Sequence, residues 1–191
     1  MATSWTSLNN QALAMLGADQ ISNIDTDTTD NAIKCRAVYE GVRDELLRSH
    51  TWNFAITRAE LAVLATEPEY GYEYEYTLPT APYCLRVLEI EGEYPFSVEG
   101  RKLLTDQSSV KIKYIARVSN AATLDVSFVS AYVLLLAIRL CLSITTSRTL
   151  KEDLKGDFAA AILDAQGNNA IESKWDNDTG SQTDRWEESG R

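Results

Sequence analysis

Apolar residues recur at helical spacing in four stretches of the chain, and they alternate with polar residues in the region between the second and the third. The first stretch places Trp5, Leu8, Ala12, Met15 and Leu16 on one face, with Thr3 or Ser4 available as a cap and Gly17 as a stop. A polar loop rich in Asp and Thr follows, through Asp19 and Asn23 to Thr28, with no glycine nest for a phosphate. A second helix is predicted from Thr29-Asp30, both good N-caps, to Ser49-His50. Its Cys35, Val38, Tyr39, Val42, Leu46 and Leu47 form one stripe. Arg36 with Glu40 and Asp44 with Arg48 fall at i,i+4 on the face expected to be wet.

After Trp52-Asn53-Phe54 the period changes. Residues 55–65 are alanine-rich and leave helix and strand both open. Tyr70, Tyr72, Tyr74, Tyr76 and Leu78 alternate with Gly71, Glu73, Glu75 and Thr77, which predicts a strand with one aromatic and one mostly acidic face, bounded by Pro79 and Pro82. Leu85 to Ile90 reads as a strand. Phe96 and Val98 lead into a turn at Glu99-Gly100, and Val110, Ile112 and Tyr114 alternate with Lys111 and Lys113. Four or five short strands are expected between residues 53 and 117, most simply as an antiparallel meander.

Helices return near Leu124. Asp125 to Ile144 reads as a long apolar helix; its most apolar stretch, Val126 to Leu142, contains Ser127, Ser130 and Arg139 and is short for a bilayer, so it is expected to be buried on most sides in the fold. A fourth helix after Thr146-Ser147 carries Leu150, Leu154, Phe158, Ile162 and Ala165 on one stripe and is expected to reach about Ser173. The pattern predicts an α+β fold: a four-helix bundle (residues 1–51 and 119–173) with a small antiparallel β-sheet insertion between helices 2 and 3 (52–118), plus an extended C-terminal tail (174–191). The tail is Asp, Glu, Ser, Thr and Gly around Trp175 and Trp186, a composition that cannot offset its own ordering entropy.

Composition adds exclusions. Three widely spaced cysteines, Cys35, Cys84 and Cys141, without a CxxC pair, read as reduced and packed thiols. A single histidine, His50, and no thiol pair at ligand spacing leave no metal site in the pattern. The net charge of −10 argues against a basic face that wraps DNA. The N-terminal residues show no basic flank and no apolar run of the secretory type. Neither GxSxG, GxxxxGK[ST] nor GxGxxG occurs, and His50 sits at a helix end, so no catalytic residue and no cofactor is expected. Glu73 and Glu75 could be imagined as a glycosidase pair, but they read more simply as solvent-facing charges opposite a tyrosine face. That tyrosine face reads as sheet core rather than as a carbohydrate platform. Arg139, inside an apolar helix, suits either a subunit interface or a snorkelling position at the bundle rim. The tail tryptophans suit anchoring on a partner.

The layout resembles the head-to-tail connector family of tailed bacteriophages, the adaptors or gatekeepers of the tail tubular protein A type. The residues that carry the resemblance are Leu8, Leu13, Leu16-Gly17, Ile21 with its Asp/Thr loop, Ala32 to Leu47, then Arg48-Ser49-His50-Thr51-Trp52-Asn53-Phe54-Ala55 and Arg58-Ala59-x-Leu61. They are packing residues, and the similarity in order of elements spans about residues 5–170. The resemblance implies a structural protein rather than an enzyme, forming a homo-oligomeric ring, a dodecamer, below the portal at the head–tail junction of the virion. Such a protein is made in the cytoplasm of the bacterial host. The implied partners are the portal protein, the tail nozzle or another tail protein, and phage DNA passing through the lumen without sequence recognition; no membrane is implied. Family members dock C-terminal segments on the portal, which puts Trp175, Arg185 and Trp186 forward as portal-docking residues; in a ring, Arg139 is the candidate subunit contact by its place in an apolar helix. The rival expectations are a virion-associated glycan hydrolase using an Asp/Glu pair and a monomeric tail-completion protein.

Overall fold

A computed structural model describes residues 3–173. It is mixed α+β, with four α-helices and two small antiparallel sheets. In chain order these are α1 (Trp5–Met15), α2 (Asp30–Ser49), a short 3-10 turn (Asn53–Ala55), β1 (Ile56–Leu61), β2 (Tyr74–Thr77), β3 (Cys84–Ile90), β4 (Ser97–Glu99), β5 (Lys102–Thr105), β6 (Val110–Ala116), a second 3-10 turn (Ala121–Thr123), α3 (Val126–Ile144) and α4 (Arg148–Ser173). All six strands lie between α2 and α3. Among the described residues the chain divides into two compact units, 3–5 with 39–124 and 6–38 with 125–173.

The second of these units is helical. In α1, Leu8, Ala12 and Leu13 are buried, but Met15, expected on the same face, is 45% exposed. The loop after α1 is held by side chains. The Asn10 amide donates to the Ile21 carbonyl and its oxygen accepts from the Ile21 amide, at 2.9 and 2.8 Å. This bracket supports Ile21, and Ile24, whose amide donates to the Thr6 hydroxyl, is buried with it. Asp27 accepts from Ser22 and from the Thr29 amide. Arg36 donates to the carbonyls of Ile24 and Asp27, spanning the loop, rather than serving the expected i,i+4 pair with Glu40.

Asp125 caps α3 by accepting from the amides of Ser127 and Phe128. The helix is long and apolar enough, by length and composition, to cross a membrane, with a mean hydropathy of 2.1, and more than half of it is buried inside the fold. Its partner is α4. The Asn168 amide reaches the Ser127 hydroxyl at 3.0 Å, so the last turns of α4 lie against the first turn of α3 and the two helices run antiparallel.

The other unit holds both sheets, ordered β1-β6-β3 and β2-β5-β4. This corrects the expected meander: β6, the last strand, inserts between the first and the third. Its residues Val110, Ile112, Tyr114 and Ala116 are buried with Leu61, Cys84 and Ile90 from its own sheet and with Tyr76 and Leu103 from the other. The stretch 55–65 resolves into β1, paired with β6 from Ile56↔Ile115 to Leu61↔Val110.

The tyrosine alternation is only partly a strand. Pairing runs from Tyr74↔Thr105 to Thr77↔Lys102, because β5 offers four residues between the Gly100 turn and Asp106. Upstream, Gly71 adopts φ +91° and Tyr70 is 88% exposed. Glu75, expected in solvent, is buried and paired with the Lys102 ammonium at 2.6 Å, while Glu73 is exposed. A carboxylate can sit there because a cation reaches it across the β2–β5 pair.

The passage from helix to strand is made by Trp52, which is 1% exposed. Its indole N–H donates to the Leu46 carbonyl at 2.8 Å, and the Ser49 hydroxyl donates to the same oxygen at 2.7 Å. That oxygen stands in the last turn of α2, so two side chains beyond or at the helix end fasten onto it.

Candidate functional site

The arrangement of most chemical interest is a cavity of about 540 Å³ within the β-containing unit. Four arginines line it: Arg48, Arg86, Arg101 and Arg117, with Tyr83 and one carboxylate, Asp44. Each arrives from a different element. Arg48 and Asp44 stand in the last two turns of α2, Arg86 lies in β3, Arg101 follows Gly100 in the β4–β5 turn, and Arg117 directly follows β6. The antiparallel β3–β6 ladder, which reaches Cys84↔Ala116 and continues in a hydrogen bond from the Arg117 amide to the Tyr83 carbonyl at 2.8 Å, sets Arg117 beside Tyr83. Gly100, at φ +59°, takes the left-handed conformation that the tight β4–β5 turn requires just before Arg101.

The guanidinium groups are held in place by backbone oxygens. Arg101 donates to the carbonyls of Cys84, Pro79 and Leu78, at 2.6, 2.6 and 3.4 Å. Arg48 donates to the Leu85 carbonyl at 2.8 Å. Arg101 and Arg117 both lie over the Tyr83 ring, 4.0 and 4.4 Å from its centroid. Arg117 makes a two-point ion pair with Asp44, which also accepts from Arg43. The i,i+4 pairing expected between Asp44 and Arg48 is therefore replaced: Asp44 serves Arg117 and Arg43, and Arg48 turns to the strand. Arg86 donates to the Thr51 hydroxyl at 3.2 Å, and its Nε is buried without a partner.

Four positive groups against one carboxylate leave the cavity at +3 in a chain of net charge −10. The positive field reaches His50, whose pKa is lowered first by burial and then by the Arg86 charge. Burial pushes the Cys84 thiol up, opposed by Arg101 and Arg48. A second depression, of about 310 Å³, has the opposite character. It lies on the β1-β6-β3 sheet, where Arg58, Lys111 and Lys113 face Glu60, Glu89 and Glu91 and cancel. Lys111 reaches Glu91 at 3.0 Å and Lys113 reaches Glu89 at 3.2 Å, so this face is a balanced, solvated charge lattice.

Of the residues singled out in the sequence, Arg139 is exposed on α3, and Trp175, Arg185 and Trp186 lie outside the described residues. Glu73 and Glu75 differ in burial, and Glu75 is neutralised by Lys102. His50 packs edge-on against Trp52, centroids 5.0 Å apart. Cys35, Cys84 and Cys141 are free and buried. Among the described residues no group of three or more His, Cys, Asp or Glu is placed to hold a metal ion. The arginine cavity was not foreseen. Its one linear signal is Arg86 within the apolar run Leu85 to Ile90, and the convergence depends on the strand order β1-β6-β3. No protein-family model matches the chain, and no curated protein sequence matches it.

Proposed function

We propose that this protein is a structural head-to-tail adaptor of a tailed bacteriophage. In that reading it forms a ring, a dodecamer, below the portal, extends the DNA channel and carries the tail at the head–tail junction of the virion. The observation that supports the reading best is the order of elements around the W-x-F-A step: helix, polar loop, helix, the buried Trp52, an insertion made only of strands, then two more helices. The side-chain-braced loop between α1 and α2 is the part of the resemblance richest in Asp and Thr, and it is ordered here by Asn10, Asp27 and Arg36. In the same reading the four helices form a bundle, of which the antiparallel α3–α4 pair is one half.

Exposed apolar side chains on α4, Leu163 and Ile171, each 67% exposed, suit contact with neighbouring subunits. The DNA passes through the lumen without sequence recognition, the tail nozzle or another tail protein binds below, and no cofactor, metal or membrane takes part. Residues 174–191 dock on the portal through Trp175, Arg185 and Trp186.

The experiment is native mass spectrometry and electron microscopy of the purified full chain, alone and with portal. A ring on the portal is the expected result. A chain that stays monomeric with portal present refutes the adaptor and points to a tail-completion protein. Glycan cleavage lost in a single Asp or Glu variant refutes it in favour of a hydrolase. Trp175→Ala with Trp186→Ala is expected to weaken portal attachment and leave the fold intact.

A further inference from the structure

We infer that the arginine cavity is a binding site for a multiply charged phosphate group. Such a site is compatible with the adaptor reading and independent of it. In an acidic protein the inexpensive arrangement of an arginine is an ion pair or a solvated head. Of the four, only Arg117 is paired with a carboxylate; Arg48, Arg86 and Arg101 donate to neutral carbonyl or hydroxyl oxygens. Like charges gathered around one cavity repel, and that cost is removed when an anion enters.

The second observation is Arg86 itself. Its Nε–H is buried and makes no hydrogen bond. A buried donor left unmade is unfavourable, so the Arg86 guanidinium gains by turning toward an acceptor that enters the cavity it lines. His50 stands near this charge: its pKa is lowered first by burial and second by Arg86, so it can report a change in that charge.

The third observation is rigidity. Arg101 is fixed by three carbonyls and the Tyr83 ring, Arg48 by one carbonyl, and Arg117 by both oxygens of Asp44. A guanidinium has five donors, and these bonds leave several on each group unspent. Preorganised forks of this kind match the oxygen geometry of a phosphate.

The net +3 selects among anions. A single carboxylate leaves two charges uncompensated. A phosphate dianion leaves one, and a diphosphate neutralises the site. The volume of about 540 Å³ falls within the range of small-ligand cavities and exceeds what one bare phosphate fills. The ligand class is therefore a phosphate or diphosphate carried on a larger body, either a small organic phosphate or the end of a nucleic acid.

The test is titration calorimetry of the full chain with inorganic pyrophosphate at low salt. One molecule is expected to bind per chain, with affinity that falls as salt rises. His50 is the chain's only histidine, so its ring resonances report without ambiguity. Saturation with pyrophosphate is expected to raise its pKa toward the ordinary value. Arg86→Gln is expected to weaken binding at least tenfold with far-UV circular dichroism unchanged, and to leave the ligand-free protein as stable as before or more so. Arg48→Gln, at an exposed position, gives the same readout should the first variant fold poorly.

Oligonucleotides with and without a terminal phosphate separate the two sources. Competition with pyrophosphate by the end-phosphorylated form alone assigns a terminal phosphate, and no competition by either assigns a small organic phosphate. The proposal is overturned if pyrophosphate does not bind, if binding is unchanged in both variants, or if it leaves His50 untouched. A synthetic peptide of residues 174–191 that binds the cavity more tightly than pyrophosphate also overturns it.

Discussion

The Leu46 carbonyl supplies a quantitative prediction. It is a terminal acceptor of α2 that takes two donors, the Trp52 indole and the Ser49 hydroxyl. Trp52→Phe removes one of them and leaves the other. The lost hydrogen bond is worth about 1 kcal/mol. Truncating a buried tryptophan completely costs about 3–5 kcal/mol, and phenylalanine keeps most of the ring, so the cavity adds about 1 kcal/mol. The expected total is about 2 kcal/mol, or a fall in melting temperature of about 4–8 °C for a chain of this size. Ser49→Ala alone should cost about 0.5–1 kcal/mol, because the indole still holds the oxygen. The double variant removes both side-chain donors inside a site where Leu46 is 2% exposed and Trp52 1%. Two donors on one sheltered oxygen compensate for each other when either is lost, so the pair should exceed the sum of the single effects by about 1 kcal/mol. Urea unfolding followed by circular dichroism on the four proteins measures this directly. Additivity to within about 0.3 kcal/mol would refute the reasoning, since it would mean that the two donors do not share a sheltered acceptor.

Two further outcomes are expected. Asp27 accepts from the Thr29 and Ser22 amides and the Ser22 hydroxyl, which hold its carboxyl well below the ordinary value of 3.8; its contribution to stability is full above that pH and is lost as pH falls below it, so Asp27→Asn should flatten the acid limb of a stability-against-pH curve. Burial pushes the Cys35 thiol up to about 11 and raises Cys84 as well, and all three cysteines are buried, so a thiol reagent at neutral pH should modify the native protein far more slowly than the urea-unfolded chain, in which three thiols react; rapid labelling of native Cys35 would contradict its burial.

The helices were legible because their signals are local. Asp30 opens α2, Asp125 caps α3, and α4 runs as far as its stripe of Leu150, Leu154 and Phe158 suggests. β3 and β6 were legible for the same reason, as short apolar or alternating runs. The tyrosine run misled because alternation reports what a strand could bury, whereas a strand exists only where a neighbour offers hydrogen bonds, and β5 is four residues long. Glu75 was misplaced because its burial depends on Lys102, which lies 27 positions away and is paired through the ladder. The arginine cavity failed for a larger reason of the same kind. Arg48, Arg86, Arg101 and Arg117 belong to four elements, and only the insertion of β6 between β1 and β3 brings them together. Read one at a time, Arg48, Arg101 and Arg117 are ordinary cations in the sequence, and only Arg86 stands out, inside the apolar run Leu85 to Ile90.

The β1-β6-β3 sheet has two outer strands, and they are not alike. Along β3 the register with β6 shifts twice within seven residues, between Cys84 and Arg86 and again between Val87 and Glu89. A strand so interrupted bends and twists, and the spacing of its outward N–H and C=O groups no longer matches an incoming extended chain. β1 pairs without a break over all six of its residues, so its outer row keeps the regular spacing of a template. The sheet thus has a blunted margin and a competent one. Lateral joining of copies by strand addition, whether useful in assembly or harmful as aggregation, would begin at Ile56–Leu61, and a proline at Arg58 or Glu60, whose partners Lys113 and Lys111 face β3 and whose own N–H groups point outward, is where an engineer would block it.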